Sequence, residues 1–147
     1  MSIADAVARA RETGEYQDVL ESIPYMAFLG LRVDHDENGP IVRMPGSDHI
    51  IGNPVLPAIH GGVVGAFLES AAIIHLIWAH ESRQVPKIIN LTVEYLRSAR
   101  VVETFAQATI TKHGRRIANV RIEAWQADRA KPVAAAHAHF LLPAEED

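Results

Sequence analysis

The stretch His60-Gly61-Gly62-Val63-Val64-Gly65-Ala66-Phe67-Leu68-Glu69 opens the most apolar part of the chain. From Gly61 to Ala79 the only polar side chains are Glu69, Ser70 and His75. A carboxylate near the middle of a membrane span would cost about 2.5–3.5 kcal/mol on insertion scales, which argues against a span. A helix that is apolar on all sides is otherwise buried inside a protein. The sequence therefore predicts a buried helix from about Ala58 to about His80.

Segments typical of strands lie on both sides of this helix. Before it, residues 31–37 and 41–44 flank Asn38-Gly39-Pro40, and Asn-Gly between two such runs indicates a hairpin. An irregular loop, Pro45 to Pro57, leads into the helix. After it, short joints separate four further segments: Ile88 to Leu96, Glu103 to Lys112, Ile117 to Gln126 and Val133 to Leu142. Because short joints favour antiparallel neighbours, we expect an α+β fold in which a curved antiparallel sheet wraps around one long central helix.

The first 24 residues have a pattern of their own. Ile3, Ala6, Val7 and Ala10 recur at helical spacing and predict one or two short amphipathic helices. Charged residues are scattered through this stretch, which is not the pattern of an export signal. We therefore divide the chain into an N-terminal helical segment, residues 1–24, and a main part, residues 25–147, within a single domain overall.

Composition excludes several classes of protein. A chain of 147 residues with 48% hydrophobic and 22% charged residues is typical of one globular domain with a real core. Its formal charge of −4 argues against general nucleic-acid binding, and the absence of cysteine excludes disulfides and thiolate chemistry. Eight histidines occur without a metal-ligand motif, so we expect no metal site. We expect a cytoplasmic protein with neither a nucleic-acid nor a membrane partner.

The two adjacent glycines at the start of the long helix point to chemistry. Inside a helix each glycine costs about 1 kcal/mol relative to alanine. At a helix start the first N–H groups are unpaired, and without β-carbons a ligand oxygen approaches them closely. The helix dipole adds positive charge there, as in an oxyanion hole. Glu69 follows Gly62 by seven residues, so both project from nearly the same face, which Gly65 leaves open.

Two structural explanations compete with this interpretation. The glycines could serve only to let the helix pack against a strand. Glu69 could be a structural acid paired with Arg97 or Arg121, because an isolated buried carboxylate is rare. The residue pattern alone leaves both explanations open beside the functional one.

His60-Gly61-Gly62 followed seven residues later by an acid resembles the motif of hot-dog-fold acyl-CoA thioesterases. The similar branch is that of the phenylacetate-degradation and 4-hydroxybenzoyl-CoA thioesterases. Three further stretches resemble this family in the same order: Leu91 to Ala99, Lys112 to Arg115 and Lys131 to Ala134. The resemblance covers residues 25–142. It implies a hot-dog fold, hydrolysis of an acyl-CoA small-molecule substrate, and a homodimer or homotetramer with active sites at subunit interfaces. Coenzyme A is then part of the substrate, and no cofactor is implied.

The resemblance assigns roles to residues of the helix and of the loop before it. Glu69 matches the catalytic carboxylate, which acts as nucleophile or as general base on water. Gly61 matches the residue whose N–H polarises the thioester carbonyl, with Gly62 beside it. Asn53 and His60 match polar residues that position water or the thioester.

The chain departs from the family pattern at two positions. Asn53 is one residue farther from His60 than in the relatives. Ile88 stands where several members have Ser or Thr near the carboxylate, which would leave that task to Ser70 or Thr92.

A second resemblance supplies an alternative function. The loop from His49 to Ala58 is similar to that of 3-hydroxyacyl-ACP dehydratases, which share the hot-dog fold. His49 matches their catalytic histidine, but their glutamate falls on Val63, so a dehydratase or hydratase would need Glu69 as its substitute. A non-catalytic acyl-thioester-binding protein is the third alternative.

Basic residues are concentrated in the second half of the chain. Eight of the 14 Lys and Arg residues lie between Arg97 and Lys131, against three acids, which gives that segment 8 − 3 = +5. Most of them we expect on a solvated strand surface. Arg97, Arg115 and Arg116 are candidate binding residues for the phosphates of coenzyme A. We also expect at least a homodimer, because a free sheet edge and an apolar outer sheet face would both need cover.

Overall fold

A computed structural model describes residues 1–80 and 84–144 of the chain. Three helices come first, and two strands follow them: α1 (Ile3–Thr13), α2 (Gln17–Ser22), α3 (Pro24–Phe28), β1 (Arg32–Asp36) and β2 (Gly39–Met44). Two short strands precede the long helix: β3 (Ile51–Asn53), β4 (Ala58–Ile59) and α4 (Gly61–Ala79). Four strands complete the chain: β5 (Lys87–Tyr95), β6 (Thr104–His113), β7 (Ile117–Trp125) and β8 (Ala134–Leu141).

The large sheet has six strands in the order β1-β2-β6-β7-β8-β5, and neighbouring strands are antiparallel. Helix α4 packs against β2, β5, β6, β7 and β8, so the sheet wraps around it. The predicted α+β class and the hot-dog arrangement are both confirmed.

The predicted start of the long helix is wrong by three residues. Ala58 and Ile59 form β4 instead, which pairs with β3. The N–H of Ile59 donates to the carbonyl of Ala99 at 2.9 Å, and that of His60 donates to the carbonyl of Ile50 at 2.8 Å. These long-range bonds hold the chain extended, so helical geometry begins only at Gly61. The loop before it, which we expected to be irregular, contains a 3₁₀ turn at Asp48–Ile50 and strand β3.

The core lies between α4 and the inner face of the sheet. The helix contributes large, fully buried side chains such as Phe67, Leu68 and Ile74. The sheet receives them on small, buried side chains: Ala106, Ala108, Ala118, Ala124, Ala136 and Ala138. By length and mean hydropathy α4 could cross a membrane, but 61% of it is buried inside the protein. Its apolar character therefore belongs to a core helix, as the sequence predicts.

The N-terminal helices join the same core. Ala6, Val7 and Ala10 of α1 are buried in it, and α1 is capped by the Ser2 hydroxyl at its start and by Gly14 at its end. Arg11 donates to the carbonyl of Ile77 at 2.8 Å and to that of His80, at the C-terminal end of α4. A guanidinium at that end satisfies carbonyls that have no helical partner and complements the helix dipole.

Most of the outer face of the sheet is polar, so the predicted apolar outer face is wrong, although the rings of Phe105 and Trp125 stack on that face. One row across four strands consists of Thr92, His137, Arg121 and Thr109. The strict alternation of side chains puts the alanines of these strands inside and their polar neighbours outside. The outer face of the sheet therefore gives no reason to expect a second subunit. The other reason, a free sheet edge, still applies, because β1 and β5 are the two edge strands.

Candidate active site

Two side chains hold the peptide group that joins Gly61 and Gly62 at the start of α4. His60 is the N-cap residue, and its Nδ1 accepts a hydrogen bond from the N–H of Gly62 at 2.9 Å. On the other side, the hydroxyl of Tyr95 donates to the carbonyl of Gly61 at 2.7 Å. The N–H of Gly62 is therefore occupied and is not free to polarise a carbonyl, contrary to the sequence-based expectation. The N–H of Gly61 has no hydrogen-bond partner among the described residues.

Different physical causes account for the glycines at positions 61, 62 and 65 of this helix start. None of Gly61, Gly62 and Gly65 has a positive φ. A Cβ at Gly62 would lie 2.9 Å from Cε1 of the capping His60 ring, which is too close. A Cβ at Gly61 or Gly65 would meet Tyr95 at 3.5 and 3.9 Å, which is ordinary van der Waals contact. Local packing thus explains Gly62, but it does not require glycine at position 61.

Glu69 is a half-buried carboxylate without a charge partner in the described part of the chain. Arg97 donates instead to the carbonyl of Pro132 at 2.6 Å, and Arg121 pairs with Glu123 at 2.9 Å. The structural ion pair that we considered for Glu69 is therefore wrong. Burial raises the pKa of Glu69 by desolvating its charged form. A carboxyl group perturbed in this way on an accessible surface is a candidate functional group.

Glu69 lies on a stripe of α4 that the chain's own sheet leaves uncovered. We call the residues Gly62, Ala66, Glu69 and Ile73, spaced by three and four positions, the open stripe. Gly62 is exposed and the other three are half-buried, whereas the intervening Gly65, Phe67 and Leu68 are buried. The open stripe therefore gives a ligand or a second protein access to the carboxylate.

A cavity of about 380 Å³ opens beside the N-terminal end of α4. Its walls include Gly61 and Val64 from the helix and the stretch Tyr95-Leu96-Arg97 at the end of β5. Two of the candidate residues, Gly61 and Arg97, thus meet at one cavity. Tyr95 is not among the residues that the sequence predicts for the site, although its stretch, Leu91 to Ala99, carries part of the family resemblance. The sequence offers only an aromatic residue near the end of a predicted strand; its 57% exposure and its place on an edge strand are visible in the structure alone.

Asn53 orders the loop before the helix. Its Oδ1 accepts hydrogen bonds from the backbone N–H groups of Val55 at 3.0 Å and Leu56 at 3.3 Å. This is an Asx-turn pattern, which fixes local backbone. The side-chain oxygen of Asn53 is therefore engaged within its own loop.

His49, the candidate base of a dehydratase, has both ring nitrogens engaged. Nδ1 lies 3.0 Å from the hydroxyl of Ser47, and Nε2 lies 3.2 Å from the carbonyl oxygen of Phe28. The carbonyl can only accept, so Nε2 carries the ring proton and Nδ1 accepts from the hydroxyl. The Phe28 ring also packs edge-on against the imidazole, at 4.8 Å between centroids.

The three candidate arginines lie at opposite ends of α4. Arg97 borders the cavity at the N-terminal end. Arg115 and Arg116 follow β6, whose last residue, His113, has its ring 5.6 Å from that of His80 at the C-terminal end of α4. Because a helix of 19 residues is about 28 Å long, one chain does not bring these arginines into a single patch.

Position 88 has Ile where several family members have Ser or Thr, and Ser70 and Thr92 are the candidates to supply the missing hydroxyl. Neither of their hydroxyls faces Glu69 within one chain. The side chain of Ile88 is 37% exposed near the start of β5. Ser70 donates to the carbonyl of Ala66 at 2.8 Å, within the helix. Thr92 precedes Val93, whose side chain faces α4, so Thr92 points to the outer face of the sheet.

Over residues 1–80 and 84–144, no group of three His, Asp or Glu side chains could hold a metal ion. His137 and His139 share the outer face of β8, where His139 hydrogen-bonds to Asn90 at 2.6 Å.

Comparison of this chain with known proteins identifies the family whose sequence model it matches. Residues 56–133, more than half of the chain, match the family model of the thioesterase superfamily. A protein of known structure from Chromobacterium violaceum is 43% identical, with 97% of this chain and 99% of that chain covered and a TM-score of 0.78. A search of curated proteins found no match.

More distant structures have the same fold. A phenylacetic acid degradation-related protein from Ralstonia eutropha is 24% identical, with 82% of this chain and 90% of that chain covered and a TM-score of 0.72. A protein from Bacillus halodurans, whose crystal structure was determined with CoA, is 22% identical, with coverage of 97% and 90% and a TM-score of 0.70. The family model, matched over more than half of the chain, shows that this chain belongs to the thioesterase superfamily.

Proposed function

We propose that this protein hydrolyses an acyl-CoA thioester, with Glu69 as the catalytic carboxylate and the N–H of Gly61 as the donor to the carbonyl. The observation that carries this proposal is the half-buried, unpaired Glu69 on the open stripe of the helix that begins at Gly61. The CoA bound to the Bacillus halodurans protein and the description of the Ralstonia eutropha protein support this substrate class.

The chemistry needs an ionised carboxylate and a stabilised oxyanion. As a nucleophile, Glu69 attacks the carbonyl carbon, the C–S bond breaks, CoA leaves as thiolate, and water then cleaves the resulting anhydride. As a general base, Glu69 removes a proton from the attacking water. In both routes the negative charge on the carbonyl oxygen is stabilised by the N–H of Gly61 and the helix dipole. Gly62 contributes conformation, because its missing side chain makes room for the His60 cap.

The spacing of these two groups favours a site that is shared by two copies of the chain. Gly61 and Glu69 are eight residues apart, which separates them by about 12 Å along the helix axis. Reacting atoms must approach to about 3–3.5 Å. We therefore assign Glu69 of one protomer to the thioester that is held by Gly61 of a second protomer, in a homodimer formed across the open stripe.

The same homodimer would bring the candidate arginines together. In a two-fold dimer with antiparallel α4 helices, the C-terminal end of one helix approaches the N-terminal end of the other. Arg115 and Arg116 of one copy then lie on the side of Arg97 of the other copy. Guanidinium groups are suited to binding the phosphates of coenzyme A.

The first experiment measures free thiol release from short, medium, long-chain and aromatic acyl-CoAs by the parental protein and by Glu69→Gln. The amide keeps the shape of the side chain but neither attacks nor accepts a proton, so kcat should fall by about 10²–10⁴-fold. Glu12→Gln, at an exposed glutamate of α1, is the matched control and should keep parental kcat. An unchanged kcat in Glu69→Gln would contradict the assignment.

The shared site has a separate test by complementation. Glu69→Gln and Gly61→Pro are each expected to be inactive as homodimers, because each lacks one half of both sites. In an equal, fully exchanged mixture about half of the dimers are mixed, and one of the two sites in each mixed dimer has both parental residues. The mixture should therefore regain about a quarter of parental activity. A mixture without any gain, with mixed dimers verified by mass, would show that both groups act within one chain.

Substrate choice separates hydrolysis from the alternatives. Saturated acyl-CoAs have no hydroxyl group to eliminate, so free thiol release from them requires a thioesterase. A dehydratase would instead form an enoyl product from 3-hydroxyacyl thioesters without thiol release. A binding protein would show a measurable Kd for CoA and neither reaction.

A further inference from the structure

The start of α4 contains two adjacent glycines, and its backbone is nevertheless held from several sides. The N–H of His60 donates to the carbonyl of Ile50 at 2.8 Å, and the carbonyl of His60 accepts from the N–H of Val64 at 3.1 Å. The next peptide group is held by the Nδ1 of His60 and by the Tyr95 hydroxyl, at 2.9 and 2.7 Å. Of these contacts, the bond from Tyr95 is the one that ties the helix start to the edge strand β5, 34 residues later in the chain.

We propose that Tyr95 is a positioning residue for thioester hydrolysis: its hydroxyl holds the Gly61–Gly62 peptide and so restricts rotation about the Cα of Gly61, whose N–H is the proposed donor to the thioester oxygen. This inference rests on the proposed function, and it adds a residue to which neither the family resemblance nor the comparisons give a role. Tyr95 itself does not react and is not a catalytic residue in this proposal.

Glycine flexibility is the physical reason for such a clamp. Glycine has access to more backbone conformations than any other residue, so a Gly-Gly pair at a helix end is the part of α4 most free to rotate. An oxyanion donor is effective when it is already oriented before the reaction. The bond from Val64 to the His60 carbonyl fixes the peptide group that carries the free N–H of Gly61. The two held ends of the Gly61–Gly62 peptide fix the other side of the Gly61 Cα, so the glycine between them loses its freedom to rotate.

The ring of Tyr95 has a second contact with the same glycine. A Cβ at Gly61 would lie 3.5 Å from Cε1, Cζ and Oη of Tyr95, so the ring edge lies beside the backbone it fixes. Tyr95 also lines the cavity at the helix start. Its hydroxyl is therefore separable from its ring by experiment, because Tyr95→Phe removes the hydrogen bond and keeps the wall of the cavity.

The test compares Tyr95→Phe with the parental protein in steady-state hydrolysis and in backbone amide exchange. A misoriented donor lowers transition-state stabilisation more than substrate binding, so kcat should fall by about 10-fold while KM stays within about twofold. Amide hydrogen exchange of Gly62 should become faster, because the peptide that carries this N–H loses its other anchor. Tyr25→Phe is the control, since the hydroxyl of Tyr25 has no hydrogen bond within the described residues and lies on α3.

Three results would overturn the positioning role. An unchanged kcat in Tyr95→Phe means that the hydroxyl is dispensable. A raised KM with parental kcat means that the hydroxyl contacts the substrate instead of the backbone. A lower kcat with parental exchange at Gly62 means that the effect does not pass through this peptide.

The exchange measurement also separates this proposal from the proposed function. If the parental protein hydrolyses no acyl thioester, the proposed function fails, and the Gly62 exchange rate still reports whether Tyr95 holds the peptide. If the parental protein is active and Glu69→Gln is inactive, but Tyr95→Phe matches the parental protein in both measurements, the positioning role fails alone.

Discussion

The two halves of helix α4 have different compositions and different surroundings. The first half, residues 61–69, contains three glycines and Glu69, and four of its nine residues are buried. The second half, residues 70–79, contains no glycine, and seven of its ten residues are buried. A single helix thus carries a candidate site at one end and much of the core at the other. We infer that activity and stability depend on different halves of α4.

The ionisable groups of the two halves sharpen this contrast. His75 in the second half is buried beside Trp78, and burial lowers its pKa. Its Nδ1 has no hydrogen-bond partner among residues 1–80 and 84–144. Burial raises the pKa of Glu69 in the first half. Both shifts favour the neutral form, but Glu69 lies on the open stripe, whereas His75 is enclosed. A pKa shifted by desolvation therefore does not mark a candidate site by itself. The shifted group must also be accessible, as Glu69 is and His75 is not.

The largest expected effect is on stability, from a cavity in the second half. Ile74 is fully buried, and Ile74→Ala should lower the free energy of unfolding by about 2–5 kcal/mol. Denaturant unfolding measures this loss, and kcat per folded molecule should stay parental. Ile117→Ala is the matched control, because that side chain is 47% exposed at the start of β7. A large loss of kcat in folded Ile74→Ala would show that the two halves are coupled.

The next effect is on activity, from the first half. Gly61→Pro deletes the proposed donor at the first helical position, where proline is favoured, and His60 already has the extended conformation (φ −56°, ψ 131°) that proline requires before it. We expect kcat to fall by about 10²–10³-fold, or about 2.7–4 kcal/mol, with a Tm near the parental value.

Gly61→Ala is the companion variant, because it keeps the N–H and its Cβ fits beside Tyr95 at 3.5 Å. If Gly61→Ala loses as much activity as Gly61→Pro, crowding of the carbonyl explains the loss and the missing donor does not. If Gly61→Pro retains parental kcat, the N–H of Gly61 has no part in the reaction.

A smaller effect is expected at the neighbouring glycine. In Gly62→Ala the new methyl would press on the His60 ring, 2.9 Å from its Cε1, and displace the cap. Loss of an N-cap hydrogen bond costs about 1 kcal/mol of stability, which thermal unfolding can measure. In the double variant with His60→Ala the ring is gone, so adding Gly62→Ala should lower Tm no further. An additive loss would contradict the cap as the cause.

The smallest effect concerns the stability of Glu69→Gln as a function of pH. Because burial raises the pKa of Glu69, its protonated form contributes stability that is complete below the unfolded value, near 4.5, and is lost as pH rises through the folded value. Glutamine does not ionise, so the variant should have a higher Tm than the parental protein at pH 7 and an equal Tm at pH 4. A lower Tm of the variant at pH 7 would mean that the ionised Glu69 stabilises the fold.

Much of the fold follows from local patterns in the sequence. The short joints between the last four strands predict the antiparallel sheet, and the long apolar run predicts α4. The start of α4 was misplaced because Ile59 and His60 donate to residues 40 positions ahead and 10 positions behind, which no local pattern reveals. The apolar outer face is a wrong prediction because many of the apolar residues of these strands are inward-facing alanines, and most of the outward alternates, apart from residues such as Phe105 and Trp125, are polar.

The candidate site was less predictable than the fold. Helical spacing suffices to put Gly62 and Glu69 on one side of α4. It does not show that Gly65, which we expected to leave this face open, is buried beside Val93 and Tyr95 of β5. The hydrogen bonds of His60 and Tyr95 depend on side-chain conformation and on a contact between distant segments, so sequence spacing does not predict them. The separation of Arg97 from Arg115 and Arg116 likewise becomes visible only when the strand order is known.

The contact of Arg11 with the end of α4 has a consequence for synthesis on the ribosome. Its acceptor at Ile77 lies 66 residues later in the chain. At about 5–20 residues per second, that acceptor is made roughly 3–13 s after Arg11. During this interval the core that buries Ala6, Val7 and Ala10 is incomplete, because it includes residues of strands that follow α4 in the chain. The apolar residues of the N-terminal segment are therefore made many seconds before the last of their core partners.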